Sequence, residues 1–128
     1  MQDKQLRIFL ISNMYPTKKN PVFGIFVKRV ETLLINNHVE INYKAVLNKD
    51  INKLSAYLYL YYQICKIYFR KDYDLIYIHY PSHITPILSL LFLFSKRKII
   101  SNLHGNDISS NTFLGKVIGK LSMITLLK

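Results

Sequence analysis

Apolar and polar positions follow one another along this chain in two rhythms. The mostly apolar run Leu6-Arg7-Ile8-Phe9-Leu10-Ile11 is rich in β-formers and ends at Ser12-Asn13 ahead of the turn signal Tyr15-Pro16, which predicts a buried first strand. After a loop carrying Lys18, Lys19, Asn20 and Pro21, apolar residues recur at Phe26, Val30, Leu33 and Leu34, with Lys28, Arg29, Glu31 and Thr32 assigned to the opposite face of a helix. That helix is expected to stop at Asn36-Asn37, because Asn tolerates the left-handed conformation that closes a helix.

Val39 to Val46 alternates with period two, as a strand near a sheet edge does. Leu54, Tyr57, Leu58, Tyr61, Ile64, Cys65, Tyr68 and Phe69 then repeat every three or four residues, predicting a long amphipathic helix. Asp74-Leu75-Ile76-Tyr77-Ile78-His79 is a third strand, Ser82 to Ser95 a largely apolar helix, Lys98 to Leu103 a fourth strand and Phe113 to Leu127 a last helical pattern. Strands alternating with helices imply right-handed crossovers and a parallel sheet covered on both faces. The fold class is therefore α/β, Rossmann-like, and the solid apolar character of the first and third strands fits burial on both sides. The pattern ends inside a helix at Leu126-Leu127-Lys128 with no closing Gly or Asn, so residues 1–128 are expected to be an incomplete domain.

Composition adds charge. Eighteen Lys and Arg against seven Asp and Glu give a formal charge of +11. Two explanations stand: an anionic partner, or the joint abundance of Lys, Asn, Ile and Tyr that A+T-rich codons produce. One cysteine, Cys65, cannot form an internal disulfide; it lies on an apolar helix stripe and is read as core. The Lys-rich start shows neither the short apolar stretch nor the small-residue cleavage site of a signal peptide, and the longest apolar run, Ile84 to Phe94, falls short of the roughly 20 residues needed to span a bilayer. A cytoplasmic setting is expected. There is no G-x-x-x-x-G-K-S/T, no G-x-S-x-G and no zinc-ligand spacing.

In an open parallel sheet ligands bind at the carboxyl ends of the strands, which directs attention to the loops after Ser12, His79 and His104. Gly24 stands just ahead of the first helix, where free N–H groups favour an anion; it is either a phosphate-approach residue or a turn glycine. His79, before Tyr80-Pro81-Ser82-His83, is either a buried, satisfied side chain or a ligand contact. His104-Gly105-Asn106-Asp107 is the strongest candidate, since Gly105 lets the backbone turn and leaves the imidazole facing the cleft. Asp107 alternatively caps or organises the loop.

Four segments together resemble glycosyltransferase family 4. They are Ile8 to Pro16, Asn20 to Val27, Tyr73 to Tyr80, and Ile99 to Asp107 with its H-G-x-D ending, in the family's order and separation. The resemblance implies the amino-terminal, acceptor-side half of a two-domain GT-B enzyme that transfers a sugar from a nucleotide-sugar donor to a glycan or lipid-linked acceptor in polysaccharide or cell-envelope biosynthesis. Transfer would proceed with retention and without a metal or other cofactor. It also implies that the donor domain is missing here, that this chain alone is inactive, that Gly24 lies near the donor phosphates and that His104 faces the transferred sugar in a catalytic role. Asn13, Tyr15, His79, Gly105 and Asp107 are the accompanying substrate-binding candidates. The pattern departs from the family at Asn37, where Gly is common, and in the single glycine of the first loop.

Acceptors of this kind are assembled at the inner membrane face, where Lys66, Arg70, Lys71 and Lys96-Arg97-Lys98 would meet anionic lipid. A separate chain carrying the donor half is a further expected partner. No nucleic-acid recognition motif is present, and nucleic acid is not an expected partner. The alternative from another class is a non-catalytic remnant or partner subunit that keeps the fold and binds a membrane surface or companion protein.

Overall fold

The computed structural model describes residues 5–80, 82–93, 95 and 97–102. Within them lie four strands, β1 (Arg7–Ser12), β2 (Glu40–Val46), β3 (Leu75–His79) and β4 (Lys98–Asn102). They form one all-parallel sheet in the order β2-β1-β3-β4. Helices α1 (Ile25–Asn36), α2 (Lys53–Tyr68) and α3 (Thr85–Phe92) connect them, the last preceded by a short 3-10 turn, Ser82–Ile84. The fold is α/β and Rossmann-like. The two strands that read as continuous apolar runs, β1 and β3, occupy the centre, and the alternating β2 is an edge. The expected last helix, over 113–127, lies outside the described residues, as does Leu103 at the end of the fourth strand.

The sheet is covered on both sides. Phe9 and Ile11 of β1 and Ile76 and Ile78 of β3 face a fully buried cluster that includes Ala56, Leu60 and Ile64 of α2 and Ile84 and Leu88. Removing a side chain of this size from water stabilises by about 1.5–3 kcal/mol. Ile8 and Leu10 point to the opposite face, which α1 covers. The outer ends of β1 and β3 are clipped by the Arg7 guanidinium, whose Nη2 donates to Asp74 Oδ1 at 3.0 Å and whose Nε donates to Oδ2 at 3.1 Å. A forked pair of this geometry fixes strand register as well as adding energy.

A β-bulge sets the phase of β2. Ile8 pairs with Ile41 but Phe9 with Tyr43, so Asn42 is the extra residue. Its Nδ2 donates to the Asp72 carbonyl at 2.9 Å. Beyond it, Tyr43 and Ala45 lie on the α2 side, where both pack with the core, and Lys44 is placed beside Leu10 on the α1 side.

Both helical stripes are rotated from the expected ones. In α1 the buried residues are Val27 and Glu31, while Leu33 is 60% exposed. In α2 the buried line is Ala56, Leu60 and Ile64, and Leu54, Leu58 and Phe69 face outward. Cys65, expected in the core, is half-buried. These helices carry apolar residues around most of their circumference, so the sequence does not specify one inward phase.

Helix α1 stops where expected, at Asn36-Asn37, but the left-handed residue that closes it is not Asn. Asn37 keeps a negative φ of -97°, its Nδ2 donating to the Leu33 carbonyl at 2.7 Å, and His38 adopts the left-handed conformation at φ 61°. The His38 N–H donates to the Ile35 carbonyl and the Val39 N–H to the Leu34 carbonyl, the paired bonds of a Schellman closure. Asn37 can bond the preceding turn through its side chain, and the turn then closes one residue later.

Arg97, read above as a membrane contact, is occupied elsewhere. Its guanidinium donates to the Tyr68 carbonyl at 2.9 Å, to the Arg70 carbonyl and to the Tyr73 hydroxyl, and lies 4.1 Å from the Tyr73 ring centroid. It satisfies carbonyls at the end of α2, where a cation is favoured by the helix dipole. Lys96 lies outside the described residues.

His38→Gly is expected to stabilise the chain by about 0.5–1 kcal/mol, since a side chain in the left-handed region costs roughly 1–2 kcal/mol and glycine's greater unfolded entropy returns part of that. Urea unfolding of the two proteins measures the difference.

Candidate functional site

The strand order creates a crevice. From β1 the chain crosses by α1 to β2 on one side, and from β2 it crosses by α2 over the other face to β3 on the far side of β1. The connections leaving the carboxyl ends of β1 and β3 therefore diverge, and the gap between them is the topological switch point at which open parallel sheets bind ligands. Register puts Ser12, His79 and Asn102 side by side on the last rung of β1, β3 and β4. The Tyr80 N–H extends the ladder by donating to the Asn102 carbonyl at 3.2 Å.

Gly24 sits against the first of these loops. It has φ 70°, and a Cβ built on it would stand 2.6 Å from the Met14 carbonyl carbon and 2.7 Å from the Tyr15 nitrogen. Only glycine allows this approach. Its carbonyl accepts the Val27 N–H at 2.9 Å and so begins α1, whose amino end faces the rim. At the second residue of the helix, the Phe26 ring lies 5.4 Å from the His79 imidazole and 6.1 Å from the Tyr80 ring. His79 is only 2% exposed, and its Nδ1 is 3.4 Å from the Tyr77 hydroxyl. Tyr80 has φ 62°, although a residue preceding proline ordinarily takes an extended backbone. Strain of this kind at a strand tip persists only where the surroundings enforce it.

A buried carboxylate holds the loop. Glu31, on the inner side of α1 and 5% exposed, accepts from the Tyr15 hydroxyl, from Lys44 Nζ at 3.0 Å and from Lys28 Nζ at 3.2 Å. Lys44 Nζ also donates to the Tyr15 hydroxyl at 3.0 Å and stands 4.5 Å from that ring's centroid. Burial pushes the Glu31 carboxyl up, but the bonds from Tyr15, Lys44 and Lys28 outweigh it and hold it below the ordinary glutamate range. For Lys44, burial pulls the ammonium down, and Tyr15 and Glu31 raise it above the usual lysine value. Two ammonium groups around one carboxylate leave a single positive charge beside the rim. Farther along the loop, Asp50 accepts from the Thr17 hydroxyl and from Asn20 Nδ2 at 3.0 Å, and Lys49 Nζ lies 4.4 Å from the Phe23 ring centroid.

Of the residues singled out from sequence, Asn13, Tyr15, Gly24 and His79 are thus brought to one edge of the sheet. Asn13 is buried there, and Tyr15 turns its hydroxyl to Glu31. His104, Gly105, Asn106 and Asp107 lie outside the described residues. The last described residue of β4, Asn102, is two positions before His104 and pairs with His79. Sequence reading placed Ser12 at the start of a rim loop but missed Phe26 and Tyr80 as rim residues, and it assigned Glu31 to the solvent face. Glu31 spaced four residues from Val27 was the available signal, a charge on an otherwise apolar line. Among the described residues no group of His, Cys, Asp or Glu is placed to hold a metal ion.

Two substitutions test this construction. Gly24→Ala is expected to cost at least about 2 kcal/mol, combining left-handed strain with backbone overlap, as read by urea unfolding. Glu31→Gln should cost about 1.5–3 kcal/mol at neutral pH, the usual worth of hydrogen bonds to a charged group. A carboxyl that titrates lower when folded stabilises above the ordinary glutamate range of about 4.3, and that contribution fades as the pH falls through the depressed folded value. The gap between Glu31→Gln and the parent should therefore narrow in acid. No protein-family model, curated protein or solved structure matches this chain.

Proposed function

We propose that this chain is the acceptor-side domain of a nucleotide-sugar-dependent, retaining glycosyltransferase of GT-B architecture, acting on a glycan or lipid-linked acceptor. The supporting observation is Gly24: its missing side chain draws the amino end of α1 against the loop after β1, at the same edge as His79 and the end of β4 that leads to His104. Backbone N–H groups at a helix start suit a diphosphate, and the residual positive charge of the Tyr15, Lys28, Glu31 and Lys44 cluster would attract it. In this division of labour His104 contacts the transferred sugar, Asn13, Tyr15 and His79 shape the acceptor side, and Gly105 and Asp107 organise the loop. The groups that bind the nucleotide lie on a second domain beyond these residues or on a companion chain.

The test is amide chemical-shift mapping of the full 128-residue chain with millimolar UDP- and GDP-sugars, alongside a transfer assay with the same panel. Shifts should cluster at Gly24, Ile25, His79 and His104, with no turnover. Shifts confined to the opposite edge of the sheet, or robust transfer by this chain alone, would overturn the proposal.

A further inference from the structure

Helix α2 is apolar on two opposite sides, and only one of them is used by the fold. Ala56, Leu60 and Ile64 pack into the core. At 100° per residue, Leu54, Leu58, Tyr62 and Phe69 form a single strip opposite that line, running about 22 Å along the helix. The strip is open to solvent: Leu54 is 72% exposed and Phe69 75%, with Leu58 and Tyr62 also more than half exposed and Tyr59 flanking it. Isolated exposed apolar residues are ordinary, but a continuous row of large ones marks a surface that meets something.

The charge around the strip names the kind of surface. From Ile51 to Lys71 the chain carries Lys53, Lys66, Arg70 and Lys71 and no Asp or Glu. The nearest acids on either side are already engaged, Asp50 with Thr17 and Asn20, and Asp72 with the Tyr43 hydroxyl. Lys66 is exposed and its Nζ stands 5.9 Å from the Tyr62 ring centroid, which puts a cation at the margin of the apolar row. Leu and Phe in a row, tyrosines whose rings are apolar and whose hydroxyls are wet, and lysines at the margin are the composition of a helix lying in a bilayer interface. The buried centres of protein–protein interfaces are by contrast depleted in Lys. Among the described residues no helix is long and apolar enough to cross a membrane. We infer that α2 lies flat on an anionic lipid surface, with Leu54, Leu58, Tyr62 and Phe69 inserted among the acyl chains and Lys66, Arg70 and Lys71 at the headgroups. This holds whether or not the crevice handles a sugar.

The absence of tryptophan from the chain makes a direct test available. Phe69→Trp in the full-length protein, mixed with phosphatidylglycerol-containing vesicles, should show a blue-shifted emission that quenchers placed in the acyl region suppress. Leu33→Trp, at a comparably exposed apolar site on α1, should show neither. Affinity for these vesicles should exceed that for pure phosphatidylcholine by at least about tenfold and fall with added salt. Leu58→Glu with Tyr62→Glu should lower binding by about tenfold or more, with the far-ultraviolet dichroism unchanged. Equal binding to neutral vesicles, an unshifted emission from the Phe69→Trp protein, or a blue shift that grows with protein concentration in the absence of lipid would each overturn the inference, the last by assigning the strip to a second copy of the chain.

Discussion

A carboxylate withdrawn from water must be neutralised by groups that come to it, and for Glu31 those groups arrive from three separate parts of the chain. Tyr15 comes from the loop after β1, Lys28 from one turn earlier on α1, and Lys44 from β2. Leaving such a charge without its partners costs several kcal/mol, so the loop, the helix and the edge strand are held to one arrangement. Within that arrangement the backbone of Met14 and Tyr15 lies where only a glycine can face it. The crevice between β1 and β3 thus owes its shape to an electrostatic requirement one layer removed from it.

The sheet was legible from the chain because its signals are local. Continuous apolar runs at β1 and β3 and the alternation of β2 translate into central and edge positions without knowledge of distant contacts. The helices were legible as helices but not in phase. In α2 almost any rotation offers apolar side chains to the sheet, and the choice falls to fit: Ala56 and Leu60 can approach the strands more closely than a line of tyrosines. Glu31 was misassigned for the converse reason. A charge reads as solvent-facing unless its partners are known, and Tyr15 and Lys44 are distant in sequence. The left-handed residue after α1 moved by one position because Asn37 had a side-chain bond to make that His38 did not.

The rim was legible in part. Parallel strands carry their carboxyl ends to one edge, so Asn13, Gly24 and His79 could be grouped from topology alone. Topology does not report that Phe26 stacks near His79 or that Tyr80 turns left-handed, because both depend on how α1 settles over the sheet. The excess of basic residues divides in the same way. Arg97 has its geometry satisfied within the fold, whereas Lys66, Arg70 and Lys71 are exposed near apolar side chains that the fold leaves uncovered.

The bulge at Asn42 works like a frameshift in the edge strand. Residues before it are read in one frame, inward and outward by parity, and residues after it in the other. Were Asn42 drawn into the ladder instead of bulging, Phe9 would pair with Asn42, Leu10 with Tyr43 and Ile11 with Lys44, sending Lys44 into the α2 side of the sheet and Tyr43 toward the carboxylate and exchanging the contents of two compartments at a stroke. Length changes in the exposed turns move only the turns; at this position a single amino acid holds the two halves of the strand in their separate registers.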